Sequence, residues 1–569
     1  LTALIELLSI GSIPLFINHI VSDTLELKLL DFNFEKFLIF LPFDNISIKF
    51  SFFIILVFFI KFIFLIYFNY FELNLNKQIQ IYLSKKLYNS YVNRNYLFHL
   101  KNNTSDLIRN VLTETSSAST YLISILNVFK EFLIILTISF LVVLFNPLTS
   151  LMIIFFGIIL LIIFYFLTNK LLKKLSEKKI KFISSMIKHF NETFDLIKEI
   201  KIYSKEQIFK NNFYSIKSNF ENTLYKRDFI VKLPKIIFEF MGIVLIVILL
   251  VISTLQQEYS SKLIASLSVL TIAIIRLLPS FNQLSSSLGN LSSLRISLDI
   301  IFKEILISNN DQYIDYSKKN FYEKTKNGEL ISFENVKFSY DKETNIGLKN
   351  ISFSINKNEM IGIVGRSGSG KTTIVSLLLK LIKPQDGKIK FLDDKTLCAY
   401  VPQDIVLTDD TLKSNIAFAE NNYQINENKL KDSIIKSDLT SFVSSHQKGA
   451  DLILGERGVR VSGGEKQRIG LARAIYQDKP VIVFDEATSS LDNQTEKNIL
   501  DSIIKIRKEK TLIIIAHRIS TLKNCDKVIY IENGEVKDQG KLDELLIKYP
   551  EIENKKFSKK DNEENNNIN

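Results

Sequence analysis

Six apolar stretches in the first half of the chain constrain its fold more than any other feature. They run from Leu1 to about Ile20, Phe50 to Phe71, Tyr121 to Phe145, Thr149 to Thr168, Ile236 to Thr254 and Leu263 to Leu284. Each is close to the ~20 residues an α-helix needs to cross a bilayer. In lipid the main chain must satisfy its own hydrogen bonds, which leaves helices as the solution for such segments. The sequence therefore predicts an all-α six-helix transmembrane domain over residues 1–306. Its first helix is read as truncated, because Leu1 falls inside an apolar run with no Met and no basic segment before it.

The connections between these stretches sort by charge. Residues 73–121 carry six Lys/Arg against two acids, and residues 170–235 carry sixteen against seven. Residues 22–48 carry two Lys against five acids. Basic loops stay on the cytoplasmic side, which places both chain ends there. The same distribution accounts for the net charge of +12 and argues against a nucleic-acid partner. Both basic loops are periodic, with apolar residues every three or four positions over Leu75–Leu87 and Ile180–Phe213. Periodicity of that kind predicts membrane helices that continue well into the cytoplasm.

The character of the chain then changes. Residues 307–328 are polar and charged, a linker by composition, and a second domain is expected over 329–550. Ile331–Tyr340, Met360–Val364, Val481–Asp485 and Thr511–Ala516 read as strands. Lys527–Glu532 and Glu535–Lys537 read as a hairpin closed on Asn533-Gly534. Strands alternating with helical runs such as Thr373–Ile382 and Ile469–Tyr476 indicate an α/β domain. Residues 551–569, rich in Lys, Asn and Glu, are expected to form a disordered tail. Cys398 and Cys525 give neither a disulfide framework nor a metal cluster.

The second domain carries the chemistry. Gly365-Arg366-Ser367-Gly368-Ser369-Gly370-Lys371-Thr372 fits the phosphate-binding loop G-x-x-x-x-G-K-[ST], between a strand and a helix that opens with Thr373. Successive N–H groups and the helix N-terminus would face phosphates. Lys371 would reach the β- and γ-phosphates, and the Thr372 hydroxyl would hold Mg²⁺. Ser462-Gly463-Gly464-Glu465 stands at the start of another helix, a second phosphate-facing surface. Val481–Phe484 ends in Asp485-Glu486, two carboxylates suited to Mg²⁺ and to polarising water.

In combination these motifs resemble the ABC-transporter ATPases, and nearly the whole chain resembles an ABC half-transporter of exporter type. The further residues that carry the resemblance are Gln403 in Val401-Pro402-Gln403, Ser490-Leu491-Asp492 and His517. The fold class it implies is multidomain: the six-helix transmembrane domain followed by an α/β P-loop ABC ATPase domain. From the resemblance, a second half-transporter chain, in a homodimer, would sandwich two ATP molecules between the P-loop of one chain and Ser462–Glu465 of the other. Tyr340 would stack on adenine, and Asp492 would belong to the nucleotide site. Glu486 would be the catalytic carboxylate, with His517 on the γ-phosphate and Lys371 also catalytic. Mg²⁺ would be held by Thr372, Gln403 and Asp485. Glu465 departs from the Gln usual in the family, and Val461 from its Leu.

Cargo is addressed only by charged residues inside the spans, which are costly there and tend to be functional. These are Glu6, Lys61, Lys130, Glu131, Glu239 and Arg276. Lys61 and Arg276 read either as anion-binding groups or as residues that pair with Glu131 and Glu239 across helices or snorkel. Short membrane segments, including Ile5–Gly11 and Arg276–Ser280, resemble those of bacterial lipid-linked oligosaccharide flippases. They imply an amphiphilic cargo of the lipid-pyrophosphate-linked saccharide type, moved across a bacterial inner membrane. The alternatives are a multidrug, peptide or lipid exporter of the same fold, and a nucleotide-gated regulatory or channel protein.

Overall fold

The structure is a computed structural model. It describes residues 5–6, 8–9, 11–12, 16, 28–29, 32–33, 45–145, 147–255, 261–312, 322–324, 329–340, 347–392, 398–418, 420, 424–455, 458–487, 493–516 and 518–552. The chain divides into two compact units: Leu1–Arg94 with Phe98–Ile314, and Asp315–Asn569 with Asn95–Leu97.

The first unit is built from long helices joined by short ones. They are α1 (Ile46–Asn93), α2 (Tyr96–Lys101), α3 (Thr104–Arg109), α4 (Thr115–Phe145), α5 (Pro147–Asp195), α6 (Ile197–Ile202), α7 (Glu206–Leu255) and α8 (Ser261–Gln312). Asn45 caps α1 by accepting from the Ser47 N–H, and Pro147 opens α5 at the position where a missing N–H costs nothing. Among the described residues, two helices are long and apolar enough to cross a membrane, Ser47–Asn93 and Thr104–Phe140. They contain the spans expected at 50–71 and, up to its last turn, 121–145, while those at 149–168, 236–254 and 263–284 fall within α5, α7 and α8. The span expected at the N-terminus lies largely outside the described residues.

The surface of α1 is what lipid requires. Ile55, Phe59, Phe62 and Tyr67 are all more than half exposed, and Phe50 and Leu87 mark a narrow inward stripe. Inside the bundle, Ile134, Ile135 and Ile138 of α4 meet Leu161 of α5, Phe238 of α7 and Phe281 of α8. The rings of Phe238 and Phe281 stack at 5.4 Å.

As the periodicity predicts, α1 and α5 run on far beyond their apolar segments, and the α5–α7 connection turns through the short α6. A π-helical turn, Asn110–Glu114, joins α3 to α4 within a buried polar network. Asn110 Nδ2 donates to Tyr91 Oη at 2.9 Å, and Arg94 Nη1 to Glu304 Oε2 at 2.8 Å. Arg109 bonds Asp106 and Ser184. These contacts tie α1, α3, α5 and α8 together by groups that cannot be left unpaired once buried.

The linker expectation meets two ordered segments. α8 continues to Gln312, and β1 (Tyr322–Lys324) pairs in parallel with Ile389–Phe391. Three alternating residues are too few to read as a strand from sequence. The tail after Ile552 lies outside the described residues.

In the second unit, β1 joins β2 (Ile331–Ser339), β3 (Gly347–Ile355), β4 (Met360–Gly365), β5 (Asp386–Phe391), β6 (Cys398–Val401), β7 (Val481–Asp485), β8 (Thr511–Ile515), β9 (Lys527–Glu532) and β10 (Glu535–Gly540). Among the described residues they form one ten-stranded sheet in the order β1-β5-β2-β3-β10-β9-β4-β8-β7-β6. The β4, β8, β7 and β6 strands run parallel. Their residues alternate between two cores: Ile361, Ile363, Val481, Val483, Ile513 and Ile515 on one face, and Met360, Val364, Ile482, Phe484, Leu512 and Ile514 on the other. Burial on both faces is why these strands read as unbroken apolar runs.

The expected β9–β10 hairpin forms with Asn533 at φ +51° and Gly534 at φ +80°, the two positive angles of a type I′ turn. Gly534 N donates to Ser369 O at 3.2 Å, so the turn also supports the phosphate loop. A Cβ on Gly534 would come within 2.3 Å of Gly347 O. Gly534→Ala is expected to destabilise the protein by at least about 1–2 kcal/mol from its left-handed backbone alone. Asn533→Gly, which retains the turn, is expected to be close to neutral; thermal unfolding of the full-length protein compares the two.

Candidate functional site

The parallel strands end together at one edge of the sheet, where open α/β sheets place their ligands. β4 delivers Gly365, whose loop leads into α9 (Lys371–Leu378). Gly370 is the residue before α9 and has φ +108°, and a Cβ there would lie 2.5 Å from Leu348 Cδ2. Only glycine fits both the angle and the approach. Arg366, Ser367 and Gly368 are exposed, Ser369 and Thr373 are buried, and Thr372 is exposed on the first turn of α9.

Lys371 is buried and folds over the loop, donating to Gly365 O at 2.8 Å and Arg366 O at 3.0 Å. Burial lowers its pKa, against the opposing pull of the Glu486 and Asp485 charges. Ser369 Oγ is buried with no hydrogen-bond partner among the described residues. A positively charged amine resting on carbonyls, a spare hydroxyl and helix-start N–H groups fit a polyphosphate.

β8 lies between β4 and β7, with Ile515 paired to both Ile363 and Asp485. That register brings Asp485 and Glu486 beside the phosphate loop. Glu486 takes φ +51°, with its N–H donating to Ile515 O at 3.1 Å. Burial raises the Asp485 pKa, as does the neighbouring Glu486 charge, while the Tyr400 hydroxyl and Lys371 act the other way. A carboxylate raised in this manner is one that a divalent cation would relieve, so the donor set suits Mg²⁺.

Tyr400 is a residue that motif reading misses. It sits on β6 opposite Val483 and donates its hydroxyl to Asp485 Oδ2 at 3.1 Å. Burial and the Asp485 charge push the phenol well above its ordinary range, so it stays a donor. The signal available was its place three residues before Gln403, on a strand flanking β7.

The remaining expected residues are distributed around this edge. Tyr340 follows β2 directly, edge-on to Phe338 at 5.0 Å and 36% exposed. Ser339, its neighbour, pairs with Gly347, beside the Leu348 that packs on Gly370. The Gln403 side chain is exposed, and the main-chain carbonyl of Gln403 accepts from Gln467 Nε2 at 3.0 Å. Asp492 and His517 lie outside the described residues, as do Ser490 and Leu491.

Ser462 caps α10 (Gly463–Tyr476), which carries Ile469, Ala472 and Tyr476 into a separate apolar cluster with Leu412 and Leu430. Here the structure resolves the unusual Glu465. Its carboxylate accepts from Ser462 N at 2.7 Å, and Ser462 Oγ accepts from Glu465 N at 3.3 Å. This is a reciprocal capping box, which takes Glu or Gln at this position equally.

In the helical unit, the charged residues pair differently from the expectation. Lys61 Nζ lies 2.7 Å from Glu6 Oε2, and Arg276 also grips the Glu6 carboxylate. Neither pairs with Glu131 or Glu239. Glu131 is 3.5 Å from Lys130, and Glu239 is 3.8 Å from Lys235 one turn away. Sequence gave no means of placing Glu6, from the first span, between the second and the last.

The family described as ABC transporter transmembrane region matches residues 1–278, and that described as ABC transporter matches residues 348–489. The chain is 30% identical over 498 residues to a putative export ATP-binding/permease protein of Rickettsia bellii, covering 84% of this chain and 84% of that protein. It is 38% identical over 241 residues to an ATP-dependent lipid A-core flippase of Idiomarina loihiensis, across 40% of this chain and 41% of the relative. The chain thus spans about two fifths of the length of that flippase. A bacterial Atm1-family ABC exporter with ATP bound has the same fold, with a TM-score of 0.79, 22% identity, and coverage of 97% of this chain and 96% of that one. The chain belongs to the ABC transporter family: a helical transmembrane region followed by an ABC ATPase domain.

Glu465→Gln is expected to leave stability and ATP turnover within about twofold of the parent, since the capping box survives. Glu465→Ala is expected to cost about 1 kcal/mol, read as a lower unfolding midpoint. Tyr400→Phe is expected to reduce turnover by about 2- to 10-fold, the scale of one neutral hydrogen bond, without changing the melting profile comparably.

Proposed function

We propose that two copies of this chain form an ATP-driven exporter or flippase that moves an amphiphile across a bacterial inner membrane. The observation that carries the reading is the meeting of the phosphate loop, Asp485 and Glu486 at one sheet edge. They belong to a chain whose other unit presents long, lipid-compatible helices. The names of the relatives, a lipid A-core flippase and a putative export permease, point to the same class of activity. In this reading both chain ends and the ATPase domain lie in the cytoplasm, and the finer cargo class is a lipid-linked saccharide.

The phosphates of ATP would lie on the N–H groups of Arg366 to Thr372, with Thr373 supporting the helix start and Tyr340 against the adenine. Lys371 would exchange its two carbonyl partners for phosphate oxygens. Thr372, Gln403 and Asp485 would hold Mg²⁺, which supplies charge neutralisation at the β- and γ-phosphates. Glu486 would orient the attacking water, and His517 would contact the γ-phosphate. The partner's Ser462, the partner's Gly463, the partner's Gly464 and the partner's Asp492 would close the site. Glu465 would act through the cap: it leaves the Ser462 hydroxyl hydrogen free to donate and fixes the helix N–H groups that face phosphate.

Positioning and charge stabilisation dominate phosphoryl transfer. Glu486→Gln in the lipid-reconstituted protein is therefore expected to lower ATP turnover by about 100-fold or more while ATP still binds. Lys371→Ala is expected to weaken binding as well. Intact protein that binds ATP without turning it over would replace the transport reading with a nucleotide-gated one. Turnover raised by drugs or peptides and indifferent to lipid would move the cargo away from amphiphilic lipids.

A further inference from the structure

The helical unit has an open cavity of about 680 Å³ beside α7 and α8, and a second open cavity of about 620 Å³ lined by Glu6, Glu72, Lys130, Glu131 and Arg276. The first also carries charge, on the exposed Asp228, Lys232, Lys235 and Glu239, whereas around the second buried and half-buried charges collect, and they fall into two groups. In the first, one carboxylate serves two cations. Glu6 takes Lys61 Nζ at 2.7 Å and the Arg276 guanidinium on both oxygens, with Arg276 Nε at 2.9 Å. In the second, one cation serves two carboxylates. Lys130 Nζ lies 3.5 Å from Glu131 and 3.8 Å from Glu72. Asn127 Nδ2 donates to Glu72 at 2.8 Å.

Among the described residues the first group therefore carries a surplus positive charge and the second a surplus negative charge. Uncompensated charge inside a membrane protein is costly and is retained where it has work to do. The two surpluses cancel over the cavity as a whole but remain local at each end. A ligand with one sign of charge relieves one end only, whereas a ligand with both signs relieves both. The most open member of each group, Arg276 at 36% side-chain exposure and Glu72 at 24%, is the one a ligand would meet. The volume lies within the range of small-ligand sites.

We propose that this cavity recognises a dipolar headgroup: an oxyanion, phosphate or carboxylate, at Arg276, with Lys61 adding its charge from behind Glu6, and a primary ammonium at Glu72 and Glu131. The inference rests on the amphiphile-export reading and narrows its cargo to headgroups that carry an amine as well as an anion. Carboxylates accept hydrogen bonds and do not donate them, so the ammonium must bear N–H groups.

The test uses full-length protein in a neutral maltoside detergent, with lipid binding followed by native mass spectrometry. Three lipids with identical acyl chains are compared: phosphatidylethanolamine, its N-acetylated form, which keeps the phosphate and loses the ammonium, and phosphatidylglycerol. The first is expected to bind about tenfold more tightly than the other two, the scale of a charge-assisted hydrogen bond. That preference is expected to vanish in Glu72→Gln and in Glu131→Gln, while Arg276→Gln weakens all three lipids. Equal binding of the three lipids to the parent protein would overturn the proposal without recourse to any variant. A preference that survives both carboxamide variants would overturn it as well. Free phosphoethanolamine competing as well as the lipid would assign the site to a soluble zwitterion. ATP turnover is measured separately, so an inactive pump with intact lipid preference refutes the transport reading and leaves the site standing.

Discussion

A bilayer offers no hydrogen-bond partners to a main chain, and that constraint shapes the apolar spans of the first unit. Apolar segments must be helical, and they expose residues such as Ile55, Phe59 and Phe62 that water would not tolerate. Polar side chains placed among these helices must find one another. Lys61 and Arg276 converge on Glu6, and Asn110, Tyr91, Arg94 and Glu304 form a chain of contacts across α1, the π-helical turn and α8. Those contacts select one arrangement of otherwise interchangeable greasy cylinders. Specificity in this bundle resides in its few buried charges more than in its leucines.

The second unit solves a different problem, the display of backbone N–H groups and carboxylates toward a common point. The sheet does this by register. Because β8 pairs with β4 and β7 at once, Asp485 stands level with Ile363, two residues before Gly365 opens the phosphate loop. The hairpin turn at Gly534 braces Ser369 from below, and Leu348 fills the space a side chain on Gly370 would need. A loop with left-handed residues is thereby held by neighbours far away in sequence.

Much of this was legible from residues alone. The phosphate loop, the apolar strands and the Asn-Gly turn follow local rules in which each residue has a steric or hydrogen-bonding reason for its place. Two kinds of feature were not legible. Pairings across the bundle, such as Glu6 with Lys61 and Arg276, depend on which helices are neighbours, and periodicity does not say. The role of Glu465 in a cap, and of Tyr400 beside Asp485, depends on side-chain direction at a helix end and across a strand pair. The strand Tyr322–Lys324 exists because β5 has an edge to cover, a tertiary reason invisible in three residues.

The π-helical turn at Asn110–Glu114 has a consequence for how this chain compares with its kin. Such a turn holds one residue more than an α-helical one, so a single deletion within it leaves a continuous helix. Because the π-helical turn closes the same circle with one residue more, the side chains beyond the deletion would keep their facing about the helix axis. Lys130 and Glu131 would still face the cavity they line. One-residue gaps at this point of an alignment, easily dismissed as noise, would therefore mark relatives that lack the π-helical turn and its buried Asn110 or Glu114 while their fourth helix presents the same face.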